Sequence, residues 1–336
     1  MLSSTPDWDA FADLIANNQR FFLASHMNPD GDALGSSLGL YHYLRGLGKS
    51  VHYCNPTPTP HIYRFLDPGG KHVHVFKEHM KSEIMEADVI IILDVSMFPR
   101  LGTMEPHVRD SKAKKVVIDH HMIDEAPIVD MILQDSSASS AGEMVYRYVR
   151  EQGDEITLEM AEPLYVAVMT DTGSFRFSSS TPTAHKMAAE LIDIGVDPRR
   201  LYGEVYENGT MSRMALLSKV LSKLQTCGDG QVVYVSITRK MMQETKATRE
   251  EIEGFVEYIL GIRGVEVSLL FVESPPKNIK VSLRSKGRYN INTVATKFGG
   301  GGHILASGIL IRNIKLQDAL DKVIRFTEEV IANTHD

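Results

Sequence analysis

The segment Ser25-His26-Met27-Asn28-Pro29-Asp30-Gly31-Asp32-Ala33-Leu34-Gly35-Ser36 places one imidazole and two carboxylates within seven residues. They follow the apolar run Phe21-Phe22-Leu23-Ala24 and precede a helix-like stretch. A hydrophobic strand end that opens into His-x-x-x-Asp-x-Asp cannot bury those charges cheaply. An unpaired buried carboxylate costs several kcal/mol, roughly, unless a cation or hydrogen-bond donors compensate. Asp30 and Asp32 are like charges held close, which favours a divalent metal between them. The segment reads as half of a metal site.

Three more segments are apolar runs ending in an acid or histidine. Val89-Ile90-Ile91-Ile92-Leu93 ends at Asp94, Val116-Val117-Ile118 at Asp119-His120-His121, and Tyr165-Val166-Ala167-Val168-Met169-Thr170 at Asp171-Thr172-Gly173. In an open parallel α/β sheet, ligands bind outside the carboxyl ends of the strands, so such strands deliver these side chains to one rim. The fourth run reads equally as strand or helix, because a short apolar run has no diagnostic period. The assembled set is His26, Asp30, Asp32, Asp94, His120 and Asp171, four carboxylates and two imidazoles with no cysteine. Structural zinc favours Cys-rich tetrahedral ligation. Oxygen-rich ligands with a minority of imidazoles suit Mn²⁺, with Mg²⁺ or Co²⁺ as alternatives. Six side chains exceed the need of one catalytic ion that keeps open positions. Two ions about 3.5–4 Å apart sharing one carboxylate fit the number, an arrangement typical of phosphoester cleavage.

At 336 residues the chain is long for one domain, and two are expected. The net charge of −7 argues against sequence-independent coating of long duplex DNA, while leaving room for a locally positive pocket. No apolar stretch reaches the roughly 18–20 residues of a membrane span. The first residues lack the basic and apolar regions of a signal peptide. Cys54 and Cys227 are the only cysteines, so a disulfide framework is not expected and a reducing cytoplasm is the expected compartment.

The first part of the chain alternates strand-like and helix-like segments, as a parallel sheet requires. Strands are expected at 21–26, 51–54, 73–76 and 129–133, and helices at 32–44, 141–150 and 182–194. A loop is expected over Asn55-Pro56-Thr57-Pro58-Thr59-Pro60. The expected layout is an α/β domain over 1–208, a connector over 209–229 containing a helix at 211–224, and a smaller α+β domain over 230–336. Its strands are expected at 232–237, 265–271, 279–284 and 309–311, and its helices near 250–260 and 316–333. In that second domain, Phe298-Gly299-Gly300-Gly301-Gly302-His303 holds four consecutive glycines, which are costly to order. They make sense where backbone N–H groups approach an anion. Arg284, near the end of a strand, offers a planar fork for phosphate or for stacking on a base.

Each motif alone has a bland reading: Asp-Gly-Asp as a turn, His-His as a surface pair, tetraglycine as a flexible loop. The joint pattern, with every candidate at an element boundary and of the right chemical class, favours a site.

The ordered set His26-x-x-x-Asp30-x-Asp32, Asp94, Asp119-His120-His121 and Thr170-Asp171-Thr172-Gly173-Ser174-Phe175-Arg176-Phe177 resembles the DHH phosphoesterases. Ser282-Leu283-Arg284-Ser285 and Gly299–His303 resemble the DHH-associated C-terminal domain, so the resemblance covers nearly the whole chain. It implies a parallel-sheet catalytic domain and a smaller second domain, with the active site in the cleft between them. It further implies His26 and Asp30 on a first metal, Asp32, His120 and Asp171 on a second, and Asp94 bridging both. Asp119 would orient the imidazoles, and His121 would face the phosphate and protonate the leaving oxygen. Arg284, Ser285, Gly300, Gly301, Gly302 and His303 would hold the terminal phosphate or distal nucleotide. Ile304-Leu305 depart from the smaller residues or proline common in relatives, which bears on the pocket's shape. Within the family the chain is most similar to the oligoribonuclease (nanoRNase)/pAp-phosphatase group. That implies a Mn²⁺-dependent exonuclease-like phosphohydrolase, homodimeric by family habit. Expected substrates are RNA fragments of about two to five nucleotides, short as the acidic net charge favours, with the 3′-phosphate of pAp as a related one. The rivals are a cyclic di-AMP or pApA phosphodiesterase, a polyphosphate hydrolase and, in another class, a nucleotide-sensing module. A missing metal ligand would favour the sensor, and none is missing.

Overall fold

The computed structural model describes residues 6–122 and 127–333. The first five residues, read above for a leader, and the last three of the expected second domain lie outside them. The chain divides into two compact units, Met1–Asn208 and Gly209–Asp336.

The first unit contains strands β1 (Arg20–Ala24), β2 (Ser50–Asn55), β3 (Val73–Val75), β4 (Val89–Leu93), β5 (Lys114–Asp119) and β6 (Met131–Gln134). Its helices are α1 (Trp8–Ala16), α2 (Gly31–Gly46), α3 (Lys81–Met85), α4 (Glu105–Asp110), α5 (Ala141–Glu151), α6 (Leu158–Asp171), α7 (Pro182–Ile194) and α8 (Pro198–Tyr206). The strands form one parallel sheet in the order β3-β2-β1-β4-β5-β6. Both faces are covered, which is why the strands are near-continuous apolar runs. Along β1, Phe21 and Leu23 enter one core and Phe22 and Ala24 the other. The strand order reverses between β1 and β4. That reversal is a topological switch point, where the crevice outside the strand ends opens for a ligand.

The run at 165–170 is helical, the carboxyl half of α6. Its apolar positions cover the buried surface of a helix packed closely on α2. A stripe of small residues on α2 permits that approach: a Cβ on Gly35 would lie 2.2 Å from the Pro163 carbonyl oxygen and 2.8 Å from Ala167 Cβ. The amino end of α2 and the carboxyl end of α6 are thereby brought together.

The second unit contains α9 (Met211–Leu221), β7 (Gln225–Cys227), β8 (Val232–Ile237), α10 (Arg239–Thr245), α11 (Phe255–Leu260), β9 (Val267–Ser274), β10 (Asn278–Ser285), α12 (Asn292–Lys297), β11 (Gly301–Gly302), β12 (Ala306–Ile311) and α13 (Leu316–Ala332). The sheet order is β11-β12-β10-β9-β8-β7, with β8 and β9 parallel and the other neighbours antiparallel. Leu216 and Val220 of α9 are buried with Val233 and Val235 of β8, so that helix packs into the core of this unit. The helix expected near 250–260 is broken: a short 3-10 turn, Glu250–Ile252, is separated from α11 by Gly254 at φ 83°.

Candidate metal centre

The sheet and the α2–α6 pair converge on one point. His26 stands two residues beyond β1, Asp30 caps α2, Asp32 lies in its first turn, and Asp94 follows β4. Asp119 ends β5, His120 and His121 follow it, and Asp171 ends α6. His26, Asp32, Asp94 and Asp119 are buried. Asp94 adopts φ 58°, a left-handed conformation that aspartate tolerates better than most residues and that aims its carboxylate into the site.

Three groups of side chains offer ligand atoms close enough to share an ion: His26 with Asp30 and Asp94, Asp32 with His120 and Asp171, and Asp94 with His120 and His121. Asp94 uses its two oxygens separately. Oδ2 lies 3.4 Å from His26 Nε2, and Oδ1 lies 3.7 Å from His120 Nε2. His26 Nε2 is 3.8 Å from Asp30 Oδ2, and His120 Nε2 is 3.7 Å from Asp32 Oδ2 and 3.5 Å from Asp171 Oδ2. Donors bonded to one ion at about 2.1 Å stand roughly 3.0–3.6 Å apart, so these spacings approach those of a coordination shell. Asp94 Oδ1 and His120 Nε2 are buried with no hydrogen-bond partner among the described residues. Buried polar atoms left unpaired are costly, and a cation between them removes the cost. The donor set therefore fits divalent metal.

Protonation points the same way. Burial pushes the Asp32 and Asp94 carboxyls well above the usual carboxylate range, and neighbouring acids push further, Asp171 and Asp30 on Asp32, Asp32 and Asp30 on Asp94. Asp171 is pushed up to about 7 by burial and then by Asp30. Its place at a helix carboxyl end adds an unfavourable dipole. Burial lowers His26, and lowers His120 to about 4, keeping both imidazoles neutral as ligands must be. His26 Nδ1 lies 3.0 Å from the Met27 carbonyl oxygen, which places its proton there and turns the Nε2 lone pair toward the carboxylates.

Sequence reasoning missed the support beneath Asp32. The N–H groups of Ala141 and Gly142, at the start of α5, donate to its two oxygens at 2.7 and 2.9 Å. Ser140 caps α5 by accepting from the Glu143 N–H at 3.0 Å. The buried Glu143 carboxylate accepts from both the N–H and the hydroxyl of Ser139, at 3.0 and 2.6 Å. The legible signal was Ser-x-x-Glu before an apolar period, a helix-start signature. The amide contacts to Asp32 leave no side-chain trace.

Within the second unit, Arg284 Nε donates to Glu257 Oε1 at 2.7 Å and Nη1 to the Leu283 carbonyl at 2.9 Å. Ser285 is buried, and its hydroxyl accepts from the Gly287 N–H at 3.2 Å. The Gly300 N–H donates to the Ala295 carbonyl at 2.9 Å, so that amide is committed within the fold. A Cβ on Gly300 would sit 2.2 Å from the Gly308 carbonyl oxygen, so hairpin packing against β12 demands glycine there. Gly301, Gly302 and His303 lie at the exposed edge of the sheet.

The DHH family, N-terminal domain, matches residues 20–168, and the DHHA1 domain matches residues 229–332. This chain belongs to the DHH family. The bifunctional oligoribonuclease and PAP phosphatase NrnA of Thermus thermophilus is 30% identical over 92% of this DHH chain and 89% of its own length. The NrnA of Bacillus subtilis is 30% identical over 86% and 88%. A solved exopolyphosphatase-related protein from Bacteroides fragilis superposes with a TM-score of 0.91 at 33% identity, covering 96% of this chain and 95% of that one. Family membership makes the protein a hydrolase of phosphoesters.

Proposed function

We propose that this DHH protein hydrolyses short RNA oligonucleotides, of about two to five nucleotides, to mononucleotides and removes the 3′-phosphate of pAp. The division of the Asp94 carboxylate between His26 and His120 carries the reading, because a carboxylate so placed would serve two adjacent ions as a shared ligand. His26 and Asp30 would hold a first ion, Asp32, His120 and Asp171 a second, and Mn²⁺ suits these oxygen and imidazole donors. When bound, such a pair supplies a nucleophile from water at neutral pH and offsets charge on the transferring phosphoryl group. The two NrnA relatives carry both activities in their names, which supports the same substrates here.

The chain's own residues do the rest. His121 faces the phosphate. Burial acts to lower its proton affinity, but hydrogen bonding and charge from Asp119 outweigh that and raise it. The ring therefore takes up a second proton more readily than a free imidazole, and Nε2 delivers it to the leaving ribose oxygen. Arg284, steadied by Glu257, and His303 hold the far phosphate or nucleotide, with the amides of Gly301 and Gly302 beside them. The acidic surface disfavours long polyanions.

Product chromatography tests this reading. The Mn²⁺-loaded protein is offered an RNA dinucleotide, a pentanucleotide, pAp, cyclic di-AMP and polyphosphate in parallel. Mononucleotides from the short RNAs and AMP from pAp are expected. Turnover of cyclic di-AMP or polyphosphate alone overturns it.

A further inference from the structure

We propose that Phe177 is a base-stacking residue of the first unit, its ring packing on the nucleobase joined to the scissile phosphate; this rests on the proposed phosphoesterase reading. Phe177 closes the turn that follows Asp171 at the end of α6. A Cβ placed on Gly173 would lie 2.5, 2.6 and 2.7 Å from three atoms of the Phe177 ring, so the ring is seated directly on the Gly173 backbone. Gly173 is two residues beyond Asp171, and two residues of chain span at most about 7 Å. The seat of the ring therefore adjoins a candidate metal ligand. Glycine is required at that seat twice over, by the ring above it and by φ 56°.

The turn is strained and tightly held. Ser174 and Phe175 adopt φ 59° and 62°, left-handed conformations that are uncommon for serine and costly for a bulky residue. The Ser174 N–H donates to the Met169 carbonyl at 2.7 Å, and the Phe175 N–H to the Thr172 hydroxyl at 3.0 Å. The Arg176 and Phe177 N–H groups share the Thr172 carbonyl at 2.9 and 3.0 Å, and Arg176 Nε donates to the Gly173 carbonyl at 2.7 Å. The two phenylalanines of the turn differ in use. Phe175 packs on the core, with Tyr165 and His185 beside it. Phe177 stays 53% exposed. A ring already fixed, with open surface, stacks on a ligand without a further ordering cost. Exposed Tyr206, whose hydroxyl approaches the Ser174 side chain, packs at 4.8 Å on exposed Tyr202 and adds aromatic surface beside the turn. Every base has a π-face, so stacking tolerates any sequence, as hydrolysis of mixed short RNAs requires. Polyphosphate has no base to place there.

The test compares wild type with Phe177→Leu, which keeps apolar bulk and loses the π-face, and Phe177→Trp, which keeps a ring. The side chain is half-exposed, so both variants should fold, with thermal melting as the check. The Mn²⁺-loaded proteins are offered an RNA dinucleotide and the same diester lacking both bases, and AMP affinity is read by calorimetry. Phe177→Leu should lower the ratio of kcat/KM for the dinucleotide over the abasic diester by about five-fold or more and weaken AMP by a similar factor, and Phe177→Trp should restore both. Trp8, the only tryptophan, is buried, so AMP should quench the added fluorescence of Phe177→Trp and inorganic phosphate should not. A ratio within about two-fold of wild type in Phe177→Leu overturns the assignment, including when both substrates lose equally, the mark of a merely structural role. Fluorescence that AMP leaves unquenched overturns it too. If wild type cleaves neither RNA nor pAp while AMP affinity depends on the ring as stated, the substrate reading fails and the Phe177 assignment stands. If wild type cleaves the dinucleotide and Phe177→Leu matches it, the reverse holds.

Discussion

Asp119 takes two hydrogen bonds from His121 on one oxygen: ring Nδ1 lies 2.8 Å and backbone N 3.0 Å from Oδ1. Burial acts to raise the Asp119 carboxyl, yet these contacts and the charge of His121 bring it below the ordinary carboxylate value. An ionised Asp119 fixes the proton on Nδ1 and turns the ring edge bearing Nε2 away. The Gln134 side chain, donating at 2.6 Å to the His121 carbonyl, holds the turn from the other side.

Asp119→Asn should therefore lower kcat by about 10²–10⁴-fold, the range of general acid catalysis. It should also move the alkaline limb of the kcat profile to lower pH, because the carboxylate that raises the His121 pKa is gone. An alkaline limb that stays in place separates His121 from the proton delivered to the leaving group.

The metal-free protein should lose stability as pH rises from about 6.5 to about 8. Asp171, pushed up to about 7, together with the raised Asp32, Asp94 and His121, holds protons that the unfolded chain has already released. Protonated more in the folded state, these groups give stability a negative slope with pH. His26 and His120, both lowered, act in the opposite sense, but only below about 6.5, where an unfolded imidazole itself titrates. Thermal melts in chelator should show Tm falling across this window. Added Mn²⁺ should raise Tm by more at pH 8 than at pH 6.5, since binding displaces the same protons. A chelated protein whose Tm climbs with pH would contradict the assignment of these shifts.

Gly35→Ala should destabilise the protein by about 1–3 kcal/mol, the usual cost of overpacking. Its Cβ would collide with the Pro163 carbonyl at 2.2 Å, forcing α2 and α6 apart. Asp32 and Asp171, carried by those two helices, should separate with them, so Mn²⁺ affinity should fall alongside Tm. Loss of Tm with intact Mn²⁺ affinity would show that the helix spacing does not set the site.

Arg284→Ala should raise KM for short RNA about ten-fold or more with little change in kcat, because the contact serves binding in ground and transition states alike. Glu257→Gln, which weakens the grip on Nε, should give a smaller rise in the same direction. Unchanged KM in both would remove Arg284 from the nucleotide site.

The residues at strand ends were legible because a parallel sheet buried on both faces writes each strand as an apolar run that stops where the polar rim begins. His26, Asp94 and Asp119-His120-His121 were placed this way. Asp171 was recognised as a candidate, but its element was ambiguous: 165–170 is too short and too uniformly apolar to show a period, and only the packing of α6 on α2 decides for helix. The amides of Ala141 and Gly142 beneath Asp32 were invisible, since backbone donors do not depend on side-chain type. The tetraglycine reads in sequence as an anion-binding loop, and the close approach of Gly300 to the Gly308 carbonyl, which also demands glycine, has no sequence signature of its own.

The central claim is that Asp94 is shared by two ions, and counting bound Mn²⁺ in wild type and Asp94→Asn tests it most directly. Asparagine tolerates the left-handed backbone at this position and keeps the side-chain size, so the variant should fold, with melting and circular dichroism as the check. The account predicts about two Mn²⁺ per wild-type chain, at most about one in Asp94→Asn, and loss of RNA dinucleotide turnover in the variant. About one Mn²⁺ or fewer in wild type, or two retained with full turnover in the variant, would contradict it.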